Sequence, residues 1–228
     1  MSVSVQLSSA SIEVLKNFAT INTGLLFKEG KKQKTISSSK TIFAEAVLDE
    51  EIPASFGIYD LNNLLEVLSL DSSVPSLSYE DPTLTVQNRD HEVTKFRCCK
   101  PDMLVVPPNK ELDLGEPDVQ FDLPEDVLSR VLRASSILSA PHILVESDGE
   151  RMHLVASDTA NDAAHRFSCK IGSANGKTFQ LIFRTENWKM LPGPYKVSIS
   201  SKGIAKFQHQ TRKLTYWLAL ETGSKTQK

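Results

Sequence analysis

The feature that most constrains this chain is that its hydrophobic pattern runs through one order of elements twice, with the opening helices about 115 residues apart. In the first half, Ser9 and Ser11 precede a window with Ile12, Leu15, Phe18 and Ala19 on one face and Glu13, Lys16, Asn17 and Thr20 on the other. That spacing predicts a helix over about 10–20. A second helix is expected from Asp60, an N-cap residue type, because Leu61, Leu64, Leu65 and Leu68 follow at i, i+3, i+4 and i+7. Alternating segments at 24–28, 34–38, 41–48, 54–59, 83–88 and 92–99 read as strands with one polar face.

The second half repeats the order. Pro124 in a first-turn position, followed by Glu125 and Asp126, opens a helix whose apolar stripe is Val127, Leu128, Val131, Leu132 and Leu138. Strands are expected at 142–147, 151–157, 163–171 and 178–183. A short helix over about 185–191 is stopped by Pro192-Gly193-Pro194, and strands at 195–200, 203–208 and 213–221 close the chain. A duplicated α+β unit is the economical inference, with residues 1–100 as the first domain, 101–120 as a connector and 121–228 as the second domain. The connector holds four prolines, which keep its backbone extended. Its Met103-Leu104-Val105-Val106 run is too apolar for a plain linker. It either packs down on the domains or also borders a groove used by partners.

Composition narrows the class. At 228 residues with 40% apolar and 24% charged, the chain has the makings of a real core, which excludes disorder and collagen-like structure. No apolar run approaches the ~20 residues that span a bilayer, and the N-terminus lacks the basic and apolar regions of a signal peptide. A soluble, unexported protein without membrane association is expected. Cys98, Cys99 and Cys169 are an odd number with no C-x-x-C pair, which fits a reducing compartment and excludes a disulfide framework or structural zinc. A net charge of −2 removes the simplest signature of a nucleic-acid binder.

No catalytic motif is present: G-x-x-x-x-G-K-[ST], G-x-G-x-x-G, G-x-S-x-G and H-E-x-x-H are all missing. The nearest approach to an enzyme cluster is Asp158, Asp162 and His165, which fall between two expected strands and read more simply as a polar hairpin turn. No cofactor, metal or small-molecule substrate is expected. Charge sorting is more telling. Lys16 in the first helix, Arg130 and Arg133 in the third, and Arg184 with Lys189 around the fourth lie off the apolar stripes. Lys28, Lys31, Lys32, Lys34 and Lys40 crowd the 28–40 hairpin against Glu29. Each cluster alone reads as a solvated face. Over the four helical windows the count is five bases against six acids, so only the direction of the side chains can make a basic surface.

Particular strings then add a resemblance. VLKNFATINTG (14–24), IYDLNNLLEVLSL (58–70), VVPPNK (105–110), KMLPGPYK (189–196) and LALE (218–221) resemble the sliding clamps of T4-type bacteriophages, the DNA polymerase processivity factors. The matches keep their order across nearly the whole chain. The resemblance implies two duplicated α+β domains per subunit, each with two helices packed on antiparallel sheet, closed head-to-tail as a homotrimer into a six-domain ring around duplex DNA. Lys16, Arg130, Arg133, Arg184 and Lys189 would face the duplex, while Glu66 departs from a basic lining. Strands over 93–99 and 163–171 would meet across the subunit boundary, with Val93, Phe96 and Cys98 on one side and Ala164, Phe167 and Cys169 on the other. Leu104, Val105, Val106 and Pro107 with Leu218 and Leu220 would wall a pocket for apolar tails of the DNA polymerase, the clamp loader and late-transcription proteins. The setting implied is the cytoplasm of an infected bacterial host. The alternative is a duplicated α+β protein-binding scaffold that does not encircle DNA.

Overall fold

The computed structural model describes residues 4–70, 75–88, 91–161 and 163–226. The chain falls into two compact units, Met1–Lys110 and Glu111–Lys228. The first runs β1 (Ser4–Val5), α1 (Ser9–Ile21), β2 (Leu25–Phe27), β3 (Gly30–Ile36), β4 (Ile42–Ile52), β5 (Phe56–Ile58), α2 (Leu61–Leu68), β6 (Ser76–Glu80), β7 (Thr83–Gln87) and β8 (Val93–Arg97). Its strands form an antiparallel sheet in the order β1-β6-β7-β8, a β2–β5 pair and a β3–β4 hairpin.

Helix α1 forms where the apolar spacing placed it, because Leu15 and Phe18 become fully buried on one face while Glu13, Lys16 and Thr20 stay exposed. Its N-terminus is fixed by Ser8, whose hydroxyl accepts from the Ser11 N–H at 3.1 Å. Glu50, at the far end of β4, takes the Ser8 N–H at 2.9 Å and the Ser11 hydroxyl at 2.6 Å, so one carboxylate ties the helix start to the sheet. In α2 the cap is Asp60, whose Oδ1 accepts from the Asn62 and Asn63 N–H groups. On β3 and β4, Glu45 receives Lys32 at 3.0 Å and Lys34 at 3.2 Å. Burial opposes ionisation of that carboxyl, yet the two lysines outweigh it and hold it below its usual range.

The second unit runs β9 (Val119–Leu123), α3 (Glu125–Ile137), β10 (His142–Asp148), β11 (Arg151–Ser157), β12 (Phe167–Ser173), β13 (Thr178–Arg184), β14 (Tyr195–Ser200), β15 (Ile204–His209), β16 (Leu214–Ala219) and β17 (Lys225–Thr226). One sheet has the order β12-β11-β10-β13-β17, and β9, β14, β15 and β16 pair in that order as antiparallel neighbours. Helix α3 packs on β10, β11 and β12 through Val127, Leu128 and Val131.

The α+β fold is the expected one, with differences in detail. Pro124 is the N-cap of α3, one position before its first turn. Leu138 is the C-cap, and Ile137 is 72% exposed. The helix expected over 185–191 is a single 3-10 turn, Thr185–Asn187, so among the described residues the second unit has one α-helix where the first has two. Trp188, Met190 and Leu191 are buried after that turn, and the residue before a proline disfavours helical backbone, so Pro192 limits any continuation. Residues 164–166 carry no regular structure, Asn161 Oδ1 accepts from the Ala163 N–H, and β12 starts only at Phe167. Strands β1, β6, β9 and β17 lie outside the expected segments.

Replacing Leu15 by Ala should lower unfolding stability by about 2–5 kcal/mol in denaturant titration, since the methyl groups lost leave a cavity under α1. Glu45→Gln tests the hairpin triad through pH. A depressed folded pKa stabilises above the unfolded value and the benefit disappears as pH falls through the folded one. The gap in melting temperature between wild type and variant should therefore be widest near neutrality and begin to narrow as pH falls below the unfolded glutamate value of about 4.3.

Candidate functional site

Three surface features carry the functional signal. The first is the outward face of the helices. On α1, Lys16 is exposed between Glu13 and Thr20, and among the described residues it forms no ion pair. On α3, Arg130 and Arg133 both project into solvent, as their position off the apolar stripe required. They are not equivalent. Arg130 Nη2 lies 2.9 Å from Asp126 Oδ2 one turn earlier, whereas among the described residues Arg133 has no acidic partner. Exposed α2 positions are Asn62, Asn63 and Glu66, so this helix presents no base.

Arg184 and Lys189 are exposed but not helical. Arg184 ends β13 and is held by Glu221 at 2.8 Å and by Glu186 at 3.6 Å, which cancels its charge locally. Lys189 sits between the buried side chains of Trp188 and Met190.

The second feature is a pair of sheet edges. β8 pairs with β7 on one side, and β12 pairs with β11 on one side; among the described residues the other edge of each has no strand partner. Val93 on β8 is exposed, and Phe96, opposite Leu84, is half-buried. Phe167 on β12 is likewise half-buried. Cys169 points into its own unit opposite Leu154 and is buried, and Ala164 belongs to the preceding turn. Cys98 follows β8, and burial pushes its thiol up to about 11, so at neutral pH it is a protonated, unreactive sulfhydryl.

The third feature lies along the connector. After a 3-10 turn at Pro101–Met103, the chain is pinned by Asn22, whose amide donates to the carbonyls of Ile36 at 3.0 Å and Val105 at 3.1 Å. Leu104 drops into a slot that exists because residues 24 and 57 lack side chains. A Cβ at Gly24 would stand 2.8 Å from Leu104 Cδ2, and one at Gly57 would stand 3.1 Å from Cδ1. Val105 and Val106 remain 43% and 40% exposed. Beside them opens a groove of about 700 Å³ whose wall includes Leu26, Val106, Pro107 and Pro108, with Lys28, Lys32 and Lys34 on its rim. Those lysines were visible in the sequence only as a hairpin charge cluster. Leu218 is 0% exposed, opposite Ala205, so it is core rather than accessible wall; Leu220 is half-buried.

Two of the three residues of the enzyme-like cluster are described. Asp158 Oδ1 accepts from the Ala160 N–H within the turn, His165 is exposed, and Asp162 lies outside the described residues. Among the described residues there is no group of three metal-ligating side chains and no helix long and apolar enough to cross a membrane.

Comparison with known proteins adds the following. Residues 8–96 match the family model described as DNA polymerase processivity factor, and residues 120–222 match that described as gp45 sliding clamp, C terminal. The sliding clamp of Vibrio phage KVP40 is 30% identical over 225 residues, covering 95% of this chain and 99% of that protein. The sliding clamp of Enterobacteria phage T4 is 31% identical over 228 residues, covering 96% and 98%. Among solved structures, A. fulgidus PCNA bound to the C-terminal region of FEN-1 superposes with a TM-score of 0.71 at 14% identity, covering 99% of this chain and 100% of that one.

Proposed function

Because this chain belongs to the sliding clamp family of DNA polymerase processivity factors, we propose that it closes into a homotrimeric ring around duplex DNA and tethers the replicative polymerase there. The observation that carries this reading is that among the described residues each unit has a sheet-edge strand without a partner on one side, β8 in the first and β12 in the second. Such edges are templates for pairing, and a β8-to-β12 contact between successive chains is head-to-tail, which closes when the rotation per chain allows. Val93, Phe96 and Cys98 on one chain meet Ala164 and Phe167 on the next, while Cys169 stays buried within its own unit. Two units per chain make a six-unit ring from three chains.

The protein is not an enzyme; its mechanism is topological. A ring that must slide needs sequence-blind attraction to phosphate and few contacts, because each neutralised phosphate adds affinity and salt dependence. Lys16, Arg130, Arg133, Arg184 and Lys189 supply it, with Lys16 and Arg133 contributing most because Asp126 and Glu221 screen Arg130 and Arg184. The connector groove by Leu104, Val105, Val106 and Pro107 takes apolar tails of the polymerase, the clamp loader and late-transcription proteins, with Leu220 as a further contact. The similarly folded A. fulgidus PCNA, bound to the C-terminal region of FEN-1, offers a parallel. The work takes place in the cytoplasm of the infected bacterial host.

Native mass against concentration tests the assembly: a species near 76 kDa, three times the 25.3 kDa chain, should dissociate on dilution, and Phe96→Asp should shift it to monomer. Retention on closed circular DNA should vanish when the DNA is linearised. A strict monomer that still binds partners would point instead to a scaffold without DNA encirclement. Arg130→Glu with Arg133→Glu should reduce polymerase processivity several-fold, more at moderate than at low salt, with trimer mass unchanged.

A further inference from the structure

The two sheet edges carry a charge pattern that strand pairing alone does not explain. On β8 the core face holds Thr94 and Phe96, opposite the buried Val86 and Leu84, so Val93, Lys95 and Arg97 lie on the other face, opposite Gln87, Thr85 and Thr83. On β12 the core face holds Phe167 and Cys169, opposite the buried Ala156 and Leu154, which leaves Ser168 and Lys170 on the outer face. Lys95, Arg97 and Lys170 are exposed, and among the described residues none of them forms an ion pair.

The acids that share this face within the two sheets stand two strands back. Thr83 separates Glu80 from Arg97, and His153 separates Glu146 from Lys170, about 10 Å in each case. Glu146 is already held by Arg166. Glu92, just ahead of β8, takes the Asn88 amide at 2.6 Å, and Asp81, in the turn before β7, accepts the Tyr79 hydroxyl at 3.0 Å. When the two edges pair, core face must continue core face, because the reverse would turn Phe96 and Phe167 toward water. A one-residue slip has the same effect, so the register changes only in steps of two. Lys170 of the next chain then faces Val93, Lys95 or Arg97, and even opposite Val93 it has Lys95 on the diagonal, about 7–8 Å away.

We infer that the joint between successive chains is held by its apolar core face against like-charge repulsion across its outer face, so that dissolved salt tightens the ring and low ionic strength opens it. This rests on the ring reading above and adds what regulates closure. Like charges opposite one another in a strand pair are destabilising. Salt relieves them, because the screening length falls from about 10 Å at 0.1 M to about 3 Å at 1 M, below the spacing across the pair. The contact of Phe96 with Phe167 carries no charge for salt to weaken. A joint made of complementary charges would respond in the opposite direction.

Native mass against chain concentration, in about 0.05 M and about 0.5 M NaCl, is the test. The concentration at which half of the trimer has dissociated should fall about tenfold from the lower salt to the higher. Lys170→Glu, which sets an acid against Lys95 and Arg97, should lower that midpoint about tenfold at the lower salt and reverse its salt dependence, with Lys170→Gln in between. Circular dichroism checks that each variant keeps the fold. A wild-type midpoint that rises with NaCl overturns the inference, as does a Lys170→Glu midpoint at or above that of wild type at the lower salt. Salt tightening that both variants leave intact would assign the effect to apolar contacts and also overturns it. Failure of the ring reading would look different: wild type and Lys170→Glu would both stay monomeric at every concentration and salt, which removes the joint and the inference together.

Discussion

Among the described residues the outer edges of β8 and β12 have no strand partner, and their backbone N–H and C=O groups are the constraint on which the proposed ring depends. Each group left without a partner needs water or another strand, and the half-buried Phe96 and Phe167 beside those edges lose water when a partner arrives. Such an edge also invites uncontrolled pairing. Lys95 and Arg97 on β8 and Lys170 on β12 project into solvent, the placement of charge by which edge strands resist open-ended aggregation. The two edges lie in different units, so a proposed contact between them is heterologous. A heterologous contact ends either in a ring or in a fibre, and closure is what leaves no edge behind.

The electrostatics fit a protein that must hold DNA without gripping it. Of the cations on or near the helices, Arg130 and Arg184 are already neutralised by neighbouring carboxylates, and α2 presents Glu66 with two asparagines. Exposed pairs of this kind contribute little to stability, so their effect is mainly to thin out the field. Sparse, partly screened charge on a near-neutral chain gives a weak attraction that salt reduces further, which is compatible with diffusion along a duplex and incompatible with tight static binding.

The three helices were legible in the sequence because apolar stripes, the Asp60 cap and the first-turn acids of α3 all act within a few residues. Strand β9 is harder to see: Val119, Phe121 and Leu123 alternate cleanly, but the strand straddles the end of the proline-rich connector at residue 120 and abuts Pro124. Strand β6 offers only one strong apolar residue, Leu77, among serines, so its existence depends on pairing with β1 and β7. At the candidate site, the outward direction of Lys16 and Arg133 followed from helix periodicity. The ion pair of Arg184 with Glu221 did not, because it joins residues 37 apart that only the fold brings together. Leu218 was readable as inward-facing from its alternation with Leu214 and Tyr216; its burial removes it from the accessible pocket wall.

The connector shows how a groove can be both rigid and exchangeable. Asn22 fixes the connector backbone, and Leu104 fills the slot left by Gly24 and Gly57, so the groove exists before any ligand arrives and a tail entering it spends little free energy ordering the receptor. In the proposed docking, a small number of apolar anchors keeps the off-rate high, and the lysines of the groove rim are available to steer encounter. Those two properties together favour rapid replacement of one partner by another on a platform that itself stays in place.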